Sequence, residues 1–277
     1  MKTMIRRKLA RKLFVGSSFL LMLPAAAFSP RASIVSPAIL PGTPALFLND
    51  TLRRFAPDPT TIIAAPKITL NKNVSGFVKS YLVREAEFLQ KMKARSRRYF
   101  SSIEDILGRY ALPLELKYLA IVESKLQPKA ISPAGAGGLW QLMPQTAKEL
   151  GLRVGSKADE RLHTHRSTVA AAKYLRRLYA QFGDWLLVLA AYNGGPGTVY
   201  KAMKKAGSKN YWTLQRYLPP ESRGHVKRYI GVLYFFEGEG GVTTQTKAEA
   251  SAWQKALNEW NRQVEEDSVS RSERKAG

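Results

Sequence analysis

The chain has 277 residues, enough for one large domain or two small ones, and its 45% hydrophobic content is ordinary for a globular protein with a real core. Because there is no cysteine, disulfide bonds, thiol catalysis and lipid attachment through a cysteine are excluded. The formal net charge of +23 predicts a polyanionic partner.

The first 27 residues have the three parts of a secretory signal peptide. Basic residues up to Lys12 precede the apolar stretch Leu13–Leu23, and Ala25–Ala27 supply small residues for cleavage. The apolar stretch is too short to favour a membrane-spanning helix, although an uncleaved membrane anchor is the alternative. We therefore predict a periplasmic or secreted protein, whose basic surface meets acidic cell-wall polymer or anionic lipid rather than nucleic acid.

Residues 28–76 are rich in proline and show no sustained helical or alternating period, so we predict an extended linker. A short strand around Ile62–Ile63 or Ile68–Leu70 is the alternative. Most of the basic surplus follows this linker, between residues 77 and 241, whereas the tail from Val242 has balanced charge.

Helical spacing and capping residues predict an all-α domain over residues 77–241. Trp185–Tyr192 is apolar almost all round, which is typical of a central, buried helix, and Asp184 is its predicted cap. The predicted helices are Phe77 to about Met92, Ser102–Tyr110, Pro113 to about Ser124, Pro144–Leu150, one capped by Ser167 or Thr168 and ending near Phe182, Trp185–Tyr192, Val199–Ala206 and Val226–Phe236.

Residues 242–277 are predicted to form a helical extension with a disordered end from Ser268. Trp253, Leu257 and Trp260 mark one face of this helix. Such a face either docks on the domain or binds a partner, and we favour docking because tryptophan faces usually pack against a core.

One acidic residue lies on an otherwise apolar helical stripe. Leu116, Leu119, Ala120 and Glu123 follow at helical spacing, which places the carboxyl against the core near the C-terminal end of its helix. Desolvation and the negative end of the helix dipole both favour a protonated carboxylic acid, the form that protonates a glycosidic oxygen. The alternative is a solvated charge at a frayed helix end.

The strings around this residue are specific in their order and spacing. Together they resemble the catalytic domain of the soluble-type lytic transglycosylases, most nearly the membrane-bound transglycosylase D branch, over about Phe77 to Phe236. The resemblance implies a lysozyme-like helical domain. The strings are Glu123-Ser124, Ala134-Gly135-Ala136, Gly138-Leu139-Trp140-Gln141, Asp159-Glu160-Arg161, Phe182-Gly183-Asp184-Trp185 and Ala190-Ala191-Tyr192-Asn193-Gly194-Gly195.

The resemblance also implies roles for single residues. Glu123 matches the catalytic acid and base, and Ser124 matches a hydroxyl that helps to hold the carboxyl. Gln141 matches a residue that lines the cleft beside the substrate. Tyr192 and Asn193 match the pair that faces the glutamate and binds the sugar.

The sequence departs from the family at one site position. His225 stands where the family has a tyrosine, and we predict that its imidazole hydrogen-bonds Glu123; an ordinary surface histidine is the alternative. Trp140 is either a core aromatic residue or part of the cleft.

The motif positions supply one carboxylate, whereas most glycosidases need two. The resemblance implies an enzyme that cleaves the β-1,4 bond between N-acetylmuramic acid and N-acetylglucosamine in peptidoglycan glycan strands, without water, metal or cofactor. We expect the protein to be a monomer. The products have 1,6-anhydro ends. The alternatives are a hydrolase that activates water with a second carboxylate, and a non-catalytic module that binds the cell wall. Peripheral association with membrane or wall fits the charge, and we expect no nucleic-acid partner.

Overall fold

The structure is a computed structural model that describes residues 64–276, with side chains to residue 270. These residues belong to one compact unit, Thr60–Gly277, and within the described range they form helices and isolated β-bridges but no strand, which confirms the predicted all-α class. The signal peptide and most of the proline-rich linker lie outside the described residues. The α-helices are α1 (Lys72–Arg84), α2 (Ala86–Ser96), α3 (Phe100–Arg109), α4 (Leu119–Ser124), α5 (Pro144–Glu149), α6 (Thr164–Phe182), α7 (Trp185–Gly194), α8 (Pro196–Ala206), α9 (Tyr211–Leu214), α10 (Pro220–Glu237) and α11 (Lys247–Ala276), and the 3₁₀ turns are Leu114–Tyr118, Glu160–Leu162, Gln215–Tyr217 and Val242–Thr244.

Helix α7 forms the centre of the core because its sequence has no polar face. Residues 186–191 are at most 1% exposed, and α6, α8 and α10 pack against this helix. Asp184 caps its start, since the carboxylate accepts hydrogen bonds from the backbone N–H groups of Leu186 and Leu187. The predicted central helix and its cap are therefore confirmed.

Helix α6 begins earlier than the capping pattern predicted. Ser167 and Thr168, the predicted caps, lie fully buried inside the helix. Their hydroxyls donate to backbone carbonyl oxygens one turn back, those of His163 and Thr164. From the sequence alone, a serine or threonine whose hydroxyl bonds back within its own helix cannot be told from a capping residue. The predicted start of the helix was therefore too late. The residue that caps α6 is His163, whose Nδ1 accepts from the Arg166 N–H.

The folded part also begins earlier than predicted. Helix α1 starts at Lys72 rather than Phe77, because the Asn71 side chain caps it. The preceding residues lie on the domain, where the Gly240 N–H donates to the Ile68 carbonyl oxygen at 2.9 Å. The end of the predicted linker is therefore part of the fold.

The folded part also ends later than predicted. Thr243 and Thr246 are at most 1% exposed, although the domain was predicted to end at Gly241. The Glu115 carboxylate accepts hydrogen bonds from the N–H groups of Val242 and Thr243 at 3.0 and 2.9 Å. Residues 242–246 are therefore part of the folded domain.

The first part of helix α11 packs on the domain, and the helix then continues past the residue where it was predicted to end. The Trp253 Nε1–H donates to the Pro66 carbonyl oxygen at 2.9 Å, so this tryptophan packs on the domain as favoured above. The helix runs on through Ser268, where disorder was predicted, and the Ser268 hydroxyl donates to the Glu265 carbonyl oxygen one turn back. In the described range no helix combines the length and apolar character needed to cross a membrane.

Candidate active site

The backbone presents Glu123 at the rim of the core. It is the next-to-last residue of α4, and Leu116, Leu119 and Ala120 on the same stripe are completely buried. The Glu123 side chain keeps 12% of its surface exposed. The helix ends one residue later because Lys125 adopts the left-handed conformation, with φ of 54°. The carboxyl is therefore held at a short, abruptly ended helix, partly withdrawn from water.

His225 contacts this carboxyl from α10. The distance from its Nε2 to Glu123 Oε1 is 2.8 Å, and the imidazole is 3% exposed. This is the only hydrogen bond of the Glu123 carboxyl within the described residues. The prediction that the imidazole bonds to Glu123 is confirmed by this contact, and the surface-histidine alternative is wrong.

Ser124 supports the helix end rather than the carboxyl. Its hydroxyl is buried, lies 2.8 Å from the Leu139 carbonyl oxygen and accepts a hydrogen bond from the Gln127 N–H. It makes no hydrogen bond to Glu123. The hydroxyl instead joins α4 to the loop that carries Gln141.

Gln141 has an unusual backbone and a structural side-chain contact. Its φ is 45°, a left-handed value that is uncommon for a residue with a side chain. The amide nitrogen donates to the carbonyl oxygens of Ala130 and Gly138, at 3.2 and 2.9 Å. Within the described residues the amide oxygen makes no hydrogen bond, so an acceptor on this side chain is available to a ligand.

Arg161 holds the loop that carries Gln141 in place, a role that the sequence did not predict. It is 5% exposed, and its guanidinium pairs with Asp159 while donating to the carbonyl oxygens of Gly135 and Leu142. The hydrogen bond from Arg161 holds the pKa of the Asp159 carboxyl below its usual value. A Cβ on Gly138 would lie 1.9 Å from the Arg161 carbonyl oxygen, so the loop needs glycine there.

Tyr192 connects α7 to this loop. Its hydroxyl donates to the Trp140 carbonyl oxygen at 2.8 Å. Burial and the negative charge of Glu123 raise the pKa of the Tyr192 hydroxyl well above its usual value. Trp140 is completely buried, and its Nε1–H donates to Thr168, so it is a core residue rather than part of a cleft surface.

Asn193 is fixed by α10. The Ser222 hydroxyl donates to Asn193 Oδ1 at 2.9 Å. A Cβ on the next residue, Gly194, would lie 2.6 Å from the Ser222 hydroxyl oxygen, so a side chain there would displace this hydroxyl from Asn193. The Asn193 amide nitrogen makes no hydrogen bond to any described residue and is therefore free to donate to a ligand.

No second carboxylate is hydrogen-bonded to Glu123 or His225 within the described residues. Asp159 pairs with Arg161, and Asp184 caps α7. Glu160 pairs with Arg153. In the same part of the chain, no group of three or more His, Cys, Asp or Glu side chains could hold a metal ion.

Residues 102–215 match the family described as the transglycosylase SLT domain. The membrane-bound lytic murein transglycosylase D of Escherichia coli K12 is 36% identical over 159 residues, 56% of this chain and 35% of that protein. The soluble lytic murein transglycosylase of the same strain is 32% identical over 145 residues, 48% of this chain and 22% of that protein. The chain thus spans about a third and about a fifth of these relatives.

The 70 kDa soluble lytic transglycosylase from Escherichia coli is similar among solved structures, with 29% identity, a TM-score of 0.44, and coverage of 52% of this chain and 26% of that one. The matched SLT range contains Glu123, Gln141 and the Tyr192–Asn193 pair. It ends before His225. The partner of the Glu123 carboxyl thus comes from α10, outside the matched range of the SLT domain.

Proposed function

We propose that this protein is a lytic transglycosylase that cleaves the β-1,4 bond between N-acetylmuramic acid and N-acetylglucosamine in peptidoglycan. The observation that carries this proposal is a partly buried carboxyl at the end of α4, whose hydrogen-bond partner among the described residues is an imidazole. Most glycosidases use two carboxylates, as acid and as base or nucleophile. Of the other motif carboxylates, Asp159 and Glu160 pair with arginines and Asp184 caps α7. A single acid suffices when the substrate supplies its own nucleophile.

In the proposed reaction Glu123 acts twice. As an acid it gives its proton to the glycosidic oxygen, and the bond from that oxygen to the muramyl C1 breaks. The substrate's N-acetyl group supports the positive charge that develops at C1. As a base, Glu123 then removes the proton from the muramyl C6 hydroxyl, whose oxygen bonds to C1. The products are a free N-acetylglucosamine 4-hydroxyl and a 1,6-anhydro ring, and no water is consumed.

The other site residues have supporting roles in this proposal. Asn193 offers its amide N–H groups to the sugar, and Gln141 offers its amide oxygen. Tyr192 aligns the loop through Trp140, and Ser124 sets the end of the catalytic helix. The proposed reaction uses no cofactor.

Digestion of purified sacculi tests the reaction. We expect muropeptides with 1,6-anhydro ends, each lighter by one water than a hydrolysis product, when the fragments are weighed by mass spectrometry. Glu123→Gln keeps the shape but cannot exchange the proton, so it should release no products. Glu221→Gln, in the first turn of α10, is the matched control and should keep activity.

The outcomes separate the alternatives. Reducing ends would indicate a hydrolase with water as the nucleophile. Binding to sacculi without release of any fragment would indicate a non-catalytic cell-wall module. Release by Glu123→Gln at the wild-type rate would remove Glu123 from the mechanism.

Two basic grooves on the domain are the proposed places where it binds the substrate. The arginine groove, of about 850 Å³, includes the loop Leu126–Ala130 that follows α4. The lysine groove, of about 730 Å³, includes Thr198, which packs beside Gly194. No acidic side chain among the described residues lines either groove. The basic lining residues are Arg95, Arg98 and Lys129 in the first and Lys201, Lys204 and Lys205 in the second.

Stem-peptide carboxylates of peptidoglycan would be attracted to these grooves, and salt would screen the attraction. We expect binding to sacculi to weaken as ionic strength rises. Changing the three lysines of the lysine groove to glutamine should weaken binding by roughly tenfold at low salt, about 1.4 kcal/mol. The control removes the same charge elsewhere, at Lys148, Lys157 and Lys173. Equal effects of both triple variants would show that total charge, not the groove, determines binding.

Export is also part of the proposal, because peptidoglycan lies outside the cytoplasmic membrane. The basic start, the apolar stretch and the alanines of residues 1–27 support a cleaved signal peptide and a periplasmic or secreted protein. Sequencing the N-terminus of the exported protein tests this directly. A mature chain that still begins at Met1 would indicate a retained anchor.

A further inference from the structure

The two nitrogens of the His225 ring are in different situations. Nε2 lies 2.8 Å from Glu123 Oε1. Nδ1 is buried and has no hydrogen-bond partner among the described residues. This asymmetry limits where the imidazole can carry its proton.

A proton on Nδ1 would bury an N–H group without an acceptor, which is unfavourable because the group gives up its hydrogen bond to water and gains none in the protein. That cost applies to the imidazolium and to the neutral Nδ1–H tautomer alike. The neutral Nε2–H tautomer buries only a lone pair at Nδ1, and its proton points at Glu123. A ring of this kind donates to Oε1 and cannot accept a proton from the carboxyl, because Nε2 is already occupied.

We propose that His225 is a neutral positioning residue, which donates from Nε2 to Glu123 Oε1 and thereby makes Oε2 the oxygen that carries the catalytic proton. Within the described residues Oε2 makes no hydrogen bond, so its proton is available to a sugar oxygen. Tyr192 on α7 is a further titratable group whose pKa responds to the charge of Glu123, and its hydroxyl donates a hydrogen bond to the Trp140 carbonyl oxygen. This role deepens the proposed function and depends on it.

The need for a hydrogen-bond donor at this position also explains why a histidine can stand where the family has a tyrosine. A phenol and an Nε2–H imidazole can each donate one hydrogen bond to a carboxyl oxygen. The histidine therefore supplies the same kind of hydrogen-bond donor as the tyrosine, provided that its ring stays in the Nε2–H form. A charged ring would instead add a positive charge beside the acid and hold it in its ionised form.

Nuclear magnetic resonance of the full chain with ¹⁵N-labelled histidine tests the tautomer directly. The chain has three histidines, so the signals of His225 are assigned as those that His225→Gln removes. At neutral pH we expect a protonated Nε2 and an unprotonated Nδ1. A proton on Nδ1, with or without one on Nε2, would overturn the assignment.

Two substitutions test the positioning role. The glutamine amide nitrogen reaches about as far as Nε2, whereas the asparagine amide nitrogen reaches about as far as Nδ1. We expect His225→Asn to lower kcat by about 10–100-fold, the size of a lost hydrogen bond to a charged group, with KM within about twofold. We expect His225→Gln to restore most of kcat.

The pH dependence of kcat is the readout that a purely structural role would not move. Without the donor at Oε1 the carboxylate is less stabilised, so the His225→Asn profile should extend to higher pH than that of His225→Gln. Equal kcat and equal profiles in both variants, at equal thermal stability, would refute the role. Glu123→Gln in the same assay tests the proposed function separately, and the NMR result does not depend on it.

Discussion

Replacing Glu115 tests whether the C-terminal segment is part of the cooperative fold. In Glu115→Ala the buried Thr243 N–H and the half-buried Val242 N–H lose their acceptor. The Thr243 hydroxyl keeps a second partner, the Tyr229 hydroxyl at 2.8 Å. A buried donor left unsatisfied costs about 1–3 kcal/mol, and the half-buried one costs less, so we expect a total loss of about 2–4 kcal/mol.

Thermal and urea unfolding measure this loss. For a domain of this size we expect Tm to fall by roughly 6–12 °C. Glu87→Ala is the control: its carboxylate pairs with Lys91 at a site where the Glu87 side chain is 83% exposed, and the change should stay within about 0.5 kcal/mol. If both variants unfold alike, residues 242–246 do not contribute to the stability of the domain.

Two further predictions use the loop around Gln141. Because the Arg161 hydrogen bond lowers the pKa of Asp159, the pair stabilises the fold above the ordinary aspartate value of 3.8 and this contribution is lost as pH falls through the lower, folded value. Unfolding of Asp159→Asn should accordingly depend less on pH in that acid range, and an unchanged dependence would contradict this. Tyr192→Phe should cost about 1 kcal/mol, since the Trp140 carbonyl loses its donor, while KM changes little; a KM raised more than about tenfold at unchanged stability would show direct binding by the hydroxyl.

Patterns that depend on local sequence predicted much of the fold. The apolar run of α7, its Asp184 cap and the stripe that carries Glu123 are visible without coordinates, because helical periodicity and capping act within a few residues. The start of α6 was misplaced because buried Ser167 and Thr168 imitate caps. The docking of residues 242–246 depends on Glu115, far away in sequence, and no local pattern encodes such a pairing.

The site residues likewise divide into those that the sequence predicted and those whose contacts depend on distant parts of the chain. Glu123 and the contact from His225 were predicted, the first from its position on the stripe and both from the motif resemblance. The hydrogen bonds of Ser124 and the role of Arg161 were not, because each depends on carbonyl groups of a loop whose path the sequence does not display. The glycines at 137 and 138 were the available signal, since a Cβ at either would collide with Arg161.

Three of the four non-glycine residues with positive φ in the described range lie next to Glu123 or in the Gln141 loop: Lys125, Leu126 and Gln141. Each left-handed residue with a side chain costs roughly 1–2 kcal/mol. Lys125→Gly would relieve part of that strain, yet it would also loosen the turn that ends α4 and positions Glu123. A laboratory selection for heat resistance alone would therefore favour substitutions beside the proposed proton donor, at the expense of turnover.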